Sequence, residues 1–193
     1  MGSTVIDSVL YRDSFGTPAM RAIFSDHELV RKYVEVEIAL ARAEARCGVI
    51  PHAAAEEIAE KCNAETLDFD LLRHETEIVG YPILPLVHQI SKQAGASGGY
   101  IHWGATTQDI MDTAVVLQIR DGLAIVEEDI KALRGILADL SRRYRDTPMA
   151  GRTHLQQALP ITLGYKTAIW LDMFARHAER LNQLKPRVLV GEF

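Results

Sequence analysis

Residues 116–144, VLQIRDGLAIVEEDIKALRGILADLSRRY, contain the pattern that decides the fold. Apolar residues recur there at alternating steps of three and four, the heptad pattern of a helix packed along a seam; they are Val116, Ile119, Leu123, Val126, Ile130, Leu133, Leu137, Leu140 and Tyr144. At 1.5 Å per residue, a helix of roughly 30 residues is about 45 Å long. The stretch therefore predicts a helix that is long for a compact domain of this size.

A second long helix is predicted after Pro160, with Pro186 as a candidate kink. Its apolar stripe consists of Leu171, Phe174, Ala178, Leu181 and Val188. The rest of the chain offers few partners for the two seams, and we expect other subunits to supply the missing helices of a bundle. The alternative is that the N-terminal helices fold back over both seams. We favour oligomerisation, because a seam of about 45 Å outreaches the short N-terminal helices.

Shorter helical segments precede these two helices. Residues 1–24 predict an irregular arm, and Ser25-Asp26-His27-Glu28 has the S-x-x-E form of a capping box. Gly48 is placed to end the helix that follows the box, and Pro51 is placed to begin a short helix over residues 52–62. The predicted apolar stripe of the first of these helices is Leu29, Tyr33, Val36, Leu40, Ala43 and Cys47.

Two features between residues 80 and 100 interrupt the helical pattern. Pro82 and Pro85 predict a break or kink. Gly95-Ala96-Ser97-Gly98-Gly99 is the best candidate for a linker or flexible loop, and we place the main architectural boundary just after it.

The predicted fold class is all-α. We expect an N-terminal helical domain over residues 1–105 and the first long helices of a central bundle over 106–193. Short strands are expected only near Tyr100–Ala105 and Met149–His154.

Composition excludes several classes of protein. The chain has 193 residues, of which 48% are hydrophobic and 24% charged. This composition is typical of a globular protein and argues against a disordered chain. No run approaches the roughly 20 apolar residues of a membrane span, and no secretory signal begins the chain. The net charge of -5 argues against nucleic-acid binding. Cys47 and Cys62 form neither a disulfide framework nor a metal quartet, so we expect a reduced, cytoplasmic protein.

The first candidate site is the polar segment His102-Trp103-Gly104-Ala105-Thr106-Thr107-Gln108-Asp109, which leads into the long helix. A helix N-terminus offers unpaired N–H groups and the positive end of a dipole. The hydroxyls of Thr106 and Thr107 and the amide of Gln108 add donors, so the segment suits a carboxylate or a phosphate. The alternative is that these side chains only cap the helix.

The second candidate site is Gly151-Arg152-Thr153-His154-Leu155-Gln156-Gln157-Ala158-Leu159-Pro160, which joins the two long helices. His154 can act as a general acid or base, and Thr153 and Gln157 can orient it or bind substrate. The alternative is a loop histidine that bonds only to backbone. The other histidines form no i, i+4 pair, which argues against a helical zinc site, and no Gly-rich phosphate loop follows a strand.

The segments GYIHWGATTQDIMDTA (residues 99–114) and GRTHLQQALPITLG (151–164) resemble the fumarase/aspartase superfamily, and the resemblance covers nearly the whole chain. Phe15–Asp26 and Val36–Ala45 look like the 3-carboxy-cis,cis-muconate cycloisomerase branch. The resemblance implies a helical homotetramer whose central bundle draws long helices from all four subunits. It also implies active sites that combine segments of three subunits.

The resemblance implies a role for each candidate residue. Thr106, Thr107 and Gln108 would bind a substrate carboxylate, and His102 matches a substrate-contacting histidine of adenylosuccinate lyases. Thr153, His154 and Gln157 would belong to a second segment of the site, in which His154 takes part in acid/base chemistry. The implied substrate is a small polycarboxylate, and no metal or organic cofactor is expected, because the substrate's own carboxylate can hold the developing charge.

Departures from the family patterns divide the evidence between branches. Adenylosuccinate lyases usually have a further histidine in the segment that corresponds to 75–81, whereas none occurs from Glu75 to Val87, and Thr17 replaces their phosphate-site arginine. The cycloisomerases often have Trp at the position of His154. A Ser-containing signature loop is absent, so we expect the chain to be the N-terminal portion of one more than twice as long.

The sequence thus favours a cycloisomerase-like enzyme that transfers a proton next to a carboxylate. The alternative of the same class is an adenylosuccinate lyase-like enzyme that releases fumarate. The alternative of a different class is a helical scaffold whose seams bind partner helices, although a scaffold has no need of the two polar segments. We expect no nucleic-acid or membrane partner.

Overall fold

The computed structural model describes residues 4–193, which form two compact units. The first unit comprises the chain through Asp121 together with Leu189–Phe193, and the second comprises Gly122–Val188. The fold is helical apart from one small sheet in the described part of the chain, which confirms the predicted class. The predicted boundary between an N-terminal domain (1–105) and the start of a central bundle (106–193) stays a prediction.

The elements alternate short helices with two long ones. The helices are α1 (Arg12–Phe15), α2 (Pro18–Ile23), α3 (Asp26–Arg46), α4 (His52–Lys61), α5 (Phe69–Val79), α6 (Ile83–Ala94), α7 (Thr107–Arg143) and α8 (Leu163–Val188). The strands are β1 (Pro148–Thr153) and β2 (Gln156–Thr162), and 3₁₀ turns cover Ala64–Thr66 and Gly95–Tyr100. No helix within residues 4–193 combines the length and apolarity that a bilayer crossing requires.

The irregular arm predicted for residues 1–24 is wrong over much of its length, because α1 and α2 form there. Thr17 accepts a hydrogen bond from the Met20 N–H at 3.2 Å, and Pro18 occupies the first helical position. A threonine cap followed by proline is a standard helix start, so the signal was present. Residues 1–3 of the predicted arm lie outside the described residues.

Helix α3 confirms the predicted start and part of the predicted face, since Tyr33 and Val36 are buried and Leu29 and Leu40 pack against the core. Ser25 Oγ accepts a hydrogen bond from the Glu28 N–H at 3.2 Å, as a capping serine does. Cys47 is exposed rather than part of a buried stripe. The buried face is broader than the stripe, because α2, α4 and the Ala64–Thr66 turn all pack against α3; it includes Val30, Lys32, Tyr33, Val34, Val36, Glu37, Ala41, Glu44 and Ala45.

The core of the first unit lies between α3, α4, α6 and the first turns of α7. Its fully buried side chains include Ile58, Ile83, Leu86, Ile90, Ile110 and Ala114. The predicted proline break is confirmed: α5 ends before Gly80, whose φ is 92°, and α6 begins after Pro82. Glycine adopts this left-handed conformation without the steric cost that other residues meet.

The segment predicted as a linker, Gly95–Gly99, is instead a packed 3₁₀ turn against α4 and α6. A Cβ on Gly98 would lie 2.3 Å from the Ser91 carbonyl oxygen, so glycine permits a close backbone approach there. Ser91 Oγ also donates to the Gly98 carbonyl at 3.1 Å. Glycine enrichment therefore reflects tight packing in this turn rather than flexibility.

The predicted strand at Tyr100–Ala105 is wrong, because His102 and Gly104 have φ values of 61° and 72°, which no strand contains. The strand near Met149–His154 is confirmed as β1. Its antiparallel partner β2 was missed, because Pro160 argues against a central strand. A two-stranded sheet has only edge strands, where proline is tolerated.

In the second unit, α7 and α8 run antiparallel. Ser141 Oγ and Thr167 Oγ1 are 2.9 Å apart, and Lys185 Nζ bonds to Glu127 Oε2 at 2.5 Å, so the later part of α7 pairs with the earlier part of α8. Helix α7 has 37 residues, more than the predicted 30 or so. Leu137 is the buried member of the predicted seam, whereas Val126 and Leu133 are more than a third exposed.

Candidate active site

The turn before α7 places His102 against α3. Its φ of 61° is left-handed, a conformation that costs a non-glycine residue about 1–2 kcal/mol. In this conformation the ring Nδ1 lies 2.6 Å from Glu37 Oε1. Backbone strain at a non-glycine residue persists only where the surroundings impose it. Here it accompanies a contact between residues 65 positions apart in the chain.

Glu37 is a fully buried acid, with 0% of its side chain exposed. Its Oε2 atom has no hydrogen-bond partner among the described residues. The Glu37 carboxylate raises the pKa of His102 above its ordinary value, although burial of the ring acts in the opposite direction. Nδ1 is engaged by Glu37, so Nε2 is the ring nitrogen left for a ligand, and the nearby carboxylate shifts the ring toward its protonated form.

The pKa values of two further groups near Glu37 are raised, which shifts both groups toward their neutral forms. Glu44, which is 8% exposed and lies two turns along α3, has a pKa raised first by burial and then by repulsion from Glu37. Burial, with a smaller effect of Glu37, raises the pKa of the Cys62 thiol to about 11. Cys62 Sγ donates to the Ile90 carbonyl at 3.5 Å. The surroundings of Glu37 thus disfavour added negative charge and favour the positive charge on His102.

Thr106, Thr107 and Gln108 lie at the start of α7. The Thr106 N–H donates to Asp109 Oδ2 at 2.7 Å, so Asp109 already occupies the place that an anion would take at this donor. The Gln108 amide donates to Asp112 Oδ1 at 2.5 Å. Neither threonine hydroxyl forms a hydrogen bond with any described residue. The hydroxyls are therefore the donors that this helix start leaves for a ligand.

Thr107→Val keeps the shape of the side chain and removes the hydroxyl. If the hydroxyl binds a substrate carboxylate, the loss should weaken binding by about 1.5–3 kcal/mol, because the acceptor is charged. We expect KM in the full-length enzyme to rise roughly 10- to 100-fold with an unchanged melting temperature. Thr107→Ser, which retains the hydroxyl, is the control. A lower melting temperature with intact kinetics would show a cap instead.

The second candidate segment is a β-hairpin with His154 and Leu155 at its tip. The strands pair Thr153 with Gln156 and Arg152 with Gln157, with an irregularity at Gly151. A Cβ on Gly151 would lie 2.5 Å from the Leu159 carbonyl oxygen on the paired strand β2, so only glycine fits at this position of β1. Leu155 has a φ of 55° and is 94% exposed.

The hairpin therefore presents its predicted site residues to the outside. Thr153, His154 and Gln157 are all exposed, and the His154 ring forms no hydrogen bond with any residue of the described range. A backbone-bonded loop histidine, the alternative considered above, does not describe His154. The side chain is free to meet a substrate or a further segment of the enzyme.

The predicted site residues fall into two groups. His102, Thr106, Thr107 and Gln108 belong to the first unit, and the three hairpin residues belong to the second. A cavity of about 830 Å³ beside Trp103 and Glu44 has a mainly apolar lining that includes none of the seven predicted residues. Within residues 4–193, no group of three or more His, Cys, Asp or Glu side chains is arranged to hold a metal ion.

Glu37 was not among the predicted site residues. Its signal is its position, because Val30, Val34, Glu37, Ala41 and Glu44 follow one another at helical spacing on the buried face of α3. An acid in phase with a buried stripe needs a partner, since an unpaired buried charge is costly. The structure supplies His102, which follows the buried Ile101, as that partner.

Comparison with known proteins identifies the family. The family model described as lyase matches residues 12–193, and the chain belongs to this lyase family of the fumarase/aspartase superfamily. The predicted resemblance and the predicted class of enzyme family are thereby confirmed.

Three similar proteins illustrate the range of named activities. The N-acetyl-S-(2-succino)cysteine lyase of Enterococcus italicus is 45% identical over 191 residues, which are 99% of this chain and 42% of that protein. The 3-carboxy-cis,cis-muconate cycloisomerase of Pseudomonas aeruginosa is 43% identical over 195 residues, with coverage of 99% and 42%. A fumarate lyase from Mesorhizobium sp. BNC1, known from a crystal structure, is 60% identical in sequence and superposes with a TM-score of 0.84. The match covers 90% of this chain and 41% of that protein.

The chain thus spans about two fifths of the length of the curated relatives that it matches. The relatives are lyases and a cycloisomerase, and their names differ in substrate. Membership of the family therefore establishes the kind of enzyme but not the particular reaction.

Proposed function

We propose that the chain is part of a cycloisomerase or lyase that moves a proton next to a carboxylate of a small polycarboxylate substrate. The observation that carries the proposal is the His102–Glu37 pair in the turn that leads through Thr106 into α7, which begins at Thr107. The Glu37 carboxylate raises the pKa of His102 and so favours a positive charge on the ring. A cation and hydroxyl donors on one short segment suit a carboxylate.

His154 is the proposed proton-transfer partner. It lies at the exposed tip of a hairpin, with Thr153 and Gln157 on the adjoining strands. In the addition direction a group attacks one carbon of an activated double bond, and a proton is delivered to the carbon next to the carboxylate. In the elimination direction that proton is removed, and the carboxylate stabilises the carbanion that forms. Thr153 and Gln157 would bind the same substrate.

The substrate class has two candidates. The cycloisomerase-like reading rests on the sequence segments of α2 and α3 and on the 43% identity with the P. aeruginosa enzyme. A fumarate-releasing reaction is favoured by the 60% identity with the protein named fumarate lyase. Within that second class, the lack of histidine from Glu75 to Val87 weighs against adenylosuccinate as substrate.

A homotetramer is proposed for the complete enzyme, with a cytoplasmic location. Its support is the apolar surface that the second unit leaves exposed on its two long helices: Ile136 at 56%, Ile169 at 46%, Trp170 at 44% and Met173 at 43%. Large apolar patches in water mark interaction sites. Sedimentation of the full-length protein as a monomer would contradict the homotetramer. That result would favour neither the bundle shared between subunits nor the helical scaffold that binds partner helices.

Ligand-induced thermal stabilisation tests the proposed substrate class. The full-length protein is melted with fumarate, succinate or 3-carboxy-cis,cis-muconate, and with fumaramide as an uncharged control of similar shape. A ligand present at 100 times its Kd stabilises by about 2.7 kcal/mol, so binding should raise the melting temperature. We expect stabilisation by at least one polycarboxylate and none by the diamide. Equal shifts, or none, would contradict the proposal.

A further inference from the structure

The contact between α3 and the turn before α7 assigns a role to Glu37 that goes beyond the proposed function. Glu37 Oε1 is 2.6 Å from His102 Nδ1, and no part of the Glu37 side chain reaches solvent. The ring itself is 21% exposed, so one edge faces Glu37 while the other can reach a ligand. A carboxylate that accepts from Nδ1–H holds that proton on Nδ1, so Nε2 carries a proton only when the ring is positively charged.

We propose that Glu37 is a positioning residue for His102: its carboxylate accepts from Nδ1–H, which leaves Nε2 as the ring nitrogen for a ligand, and its charge favours the protonated ring, in which Nε2 also carries a proton. The ring then donates from Nε2 and carries a positive charge. Only the identity of the acceptor, a substrate carboxylate, rests on the proposed function. The pairing of Glu37 with His102 does not.

Other charged groups near His102 are less suited to this role. Asp109 on α7 favours the imidazolium, but its carboxylate is engaged by the Thr106 N–H at 2.7 Å. Glu44 on α3 makes no bond to the ring, and burial favours its neutral form. The Cys62 thiol also favours its neutral form, because burial and the negative charge of Glu37 raise its pKa. Glu37 is therefore the acid that bonds directly to the ring.

A simple packing role would have different consequences. If Glu37 only filled space, any side chain of similar shape would leave the ring unchanged. Glu37→Gln tests this, because it keeps the shape and keeps an oxygen that can accept from Nδ1–H, yet it removes the charge. Glu37→Leu removes both the charge and the acceptor. Glu44→Gln is the matched control, since it alters a second buried acid on the same helix.

The measurement is NMR of the protein with ¹³C and ¹⁵N in its histidine rings, with His102 assigned by the His102→Gln variant. An opposite charge at this distance raises a histidine pKa by about 1–3 units. We therefore expect Glu37→Gln to lower the His102 pKa by at least about one unit. The Nδ1–H tautomer should persist in this variant and be lost in Glu37→Leu. Glu44→Gln should change the pKa much less.

The binding of fumarate at several pH values is followed in parallel. As the pH rises through the His102 pKa the charge is lost, so affinity should fall, and the midpoint of that fall should move down in Glu37→Gln. An unchanged His102 pKa in Glu37→Gln, or an equal drop in Glu44→Gln, would overturn the role of Glu37. If no variant bound fumarate, the choice of ligand would be wrong, while the NMR titration would still decide the role of Glu37.

Discussion

We expect His154→Ala to lower kcat of the full-length enzyme by about 10²–10⁴-fold, the usual contribution of one general acid or base. The folded state should be unaffected, because His154 is exposed at a hairpin tip and bonds to no described residue. Turnover and melting temperature are measured on the same preparation.

The control for His154→Ala is His74→Ala, which removes an exposed histidine from α5. This change should leave both kcat and the melting temperature near their original values. If His154→Ala retained turnover within a factor of about three, well below the usual acid/base contribution, His154 would have no proton-transfer role. If His154→Ala and His74→Ala lowered the melting temperature equally, the loss of turnover in His154→Ala would be attributed to a general effect of removing a histidine.

The second large effect concerns the junction that follows the hairpin. A Cβ on Gly164 would lie 2.6 Å from Arg145 Cα and 2.7 Å from the Ser141 carbonyl oxygen, and both are backbone atoms. Gly164→Ala therefore forces α7 and α8 apart, and we expect the free energy of unfolding to fall by about 1–3 kcal/mol. Denaturant unfolding monitored by circular dichroism gives this value.

Gly135→Ala is the matched control, because Gly135 lies within α7 and a Cβ there would meet nothing within 4 Å. Alanine in a helix interior is more stable than glycine by roughly 0.5–1 kcal/mol, so this variant should be stabilised. The two glycine replacements are thus expected to change stability in opposite directions. A stabilised Gly164→Ala protein would contradict the close approach described here.

Periodicity was sufficient to predict the long helices. The alternating steps from Val116 to Leu140 lie within α7, with Tyr144 just after its last residue, and the stripe from Leu171 to Val188 lies within α8. Local capping chemistry was equally informative at Ser25, whose side chain caps α3. These signals depend on neighbours within one or two turns, and such neighbours are visible in the sequence.

Long-range contacts explain what the sequence did not predict. Gly98 is needed because Ser91 lies against it, and nothing in a run of small residues separates close packing from flexibility. Likewise, the role of Glu37 depends on His102, 65 positions away. The residues of the site could be selected by their chemistry, whereas their partners became visible only when the fold brought them together.

The proposed reaction transfers a proton to a carbon next to a carboxylate, and incorporation of deuterium from the solvent is the measurement that tests this claim. The full-length enzyme is supplied in D₂O with 3-carboxy-cis,cis-muconate, or with fumarate and N-acetylcysteine, and the products are examined by mass spectrometry against enzyme-free controls. We predict enzyme-dependent product with one carbon-bound deuterium, and its loss in His154→Ala. Product formed without deuterium, or no conversion by folded protein of either substrate set, would contradict the claim.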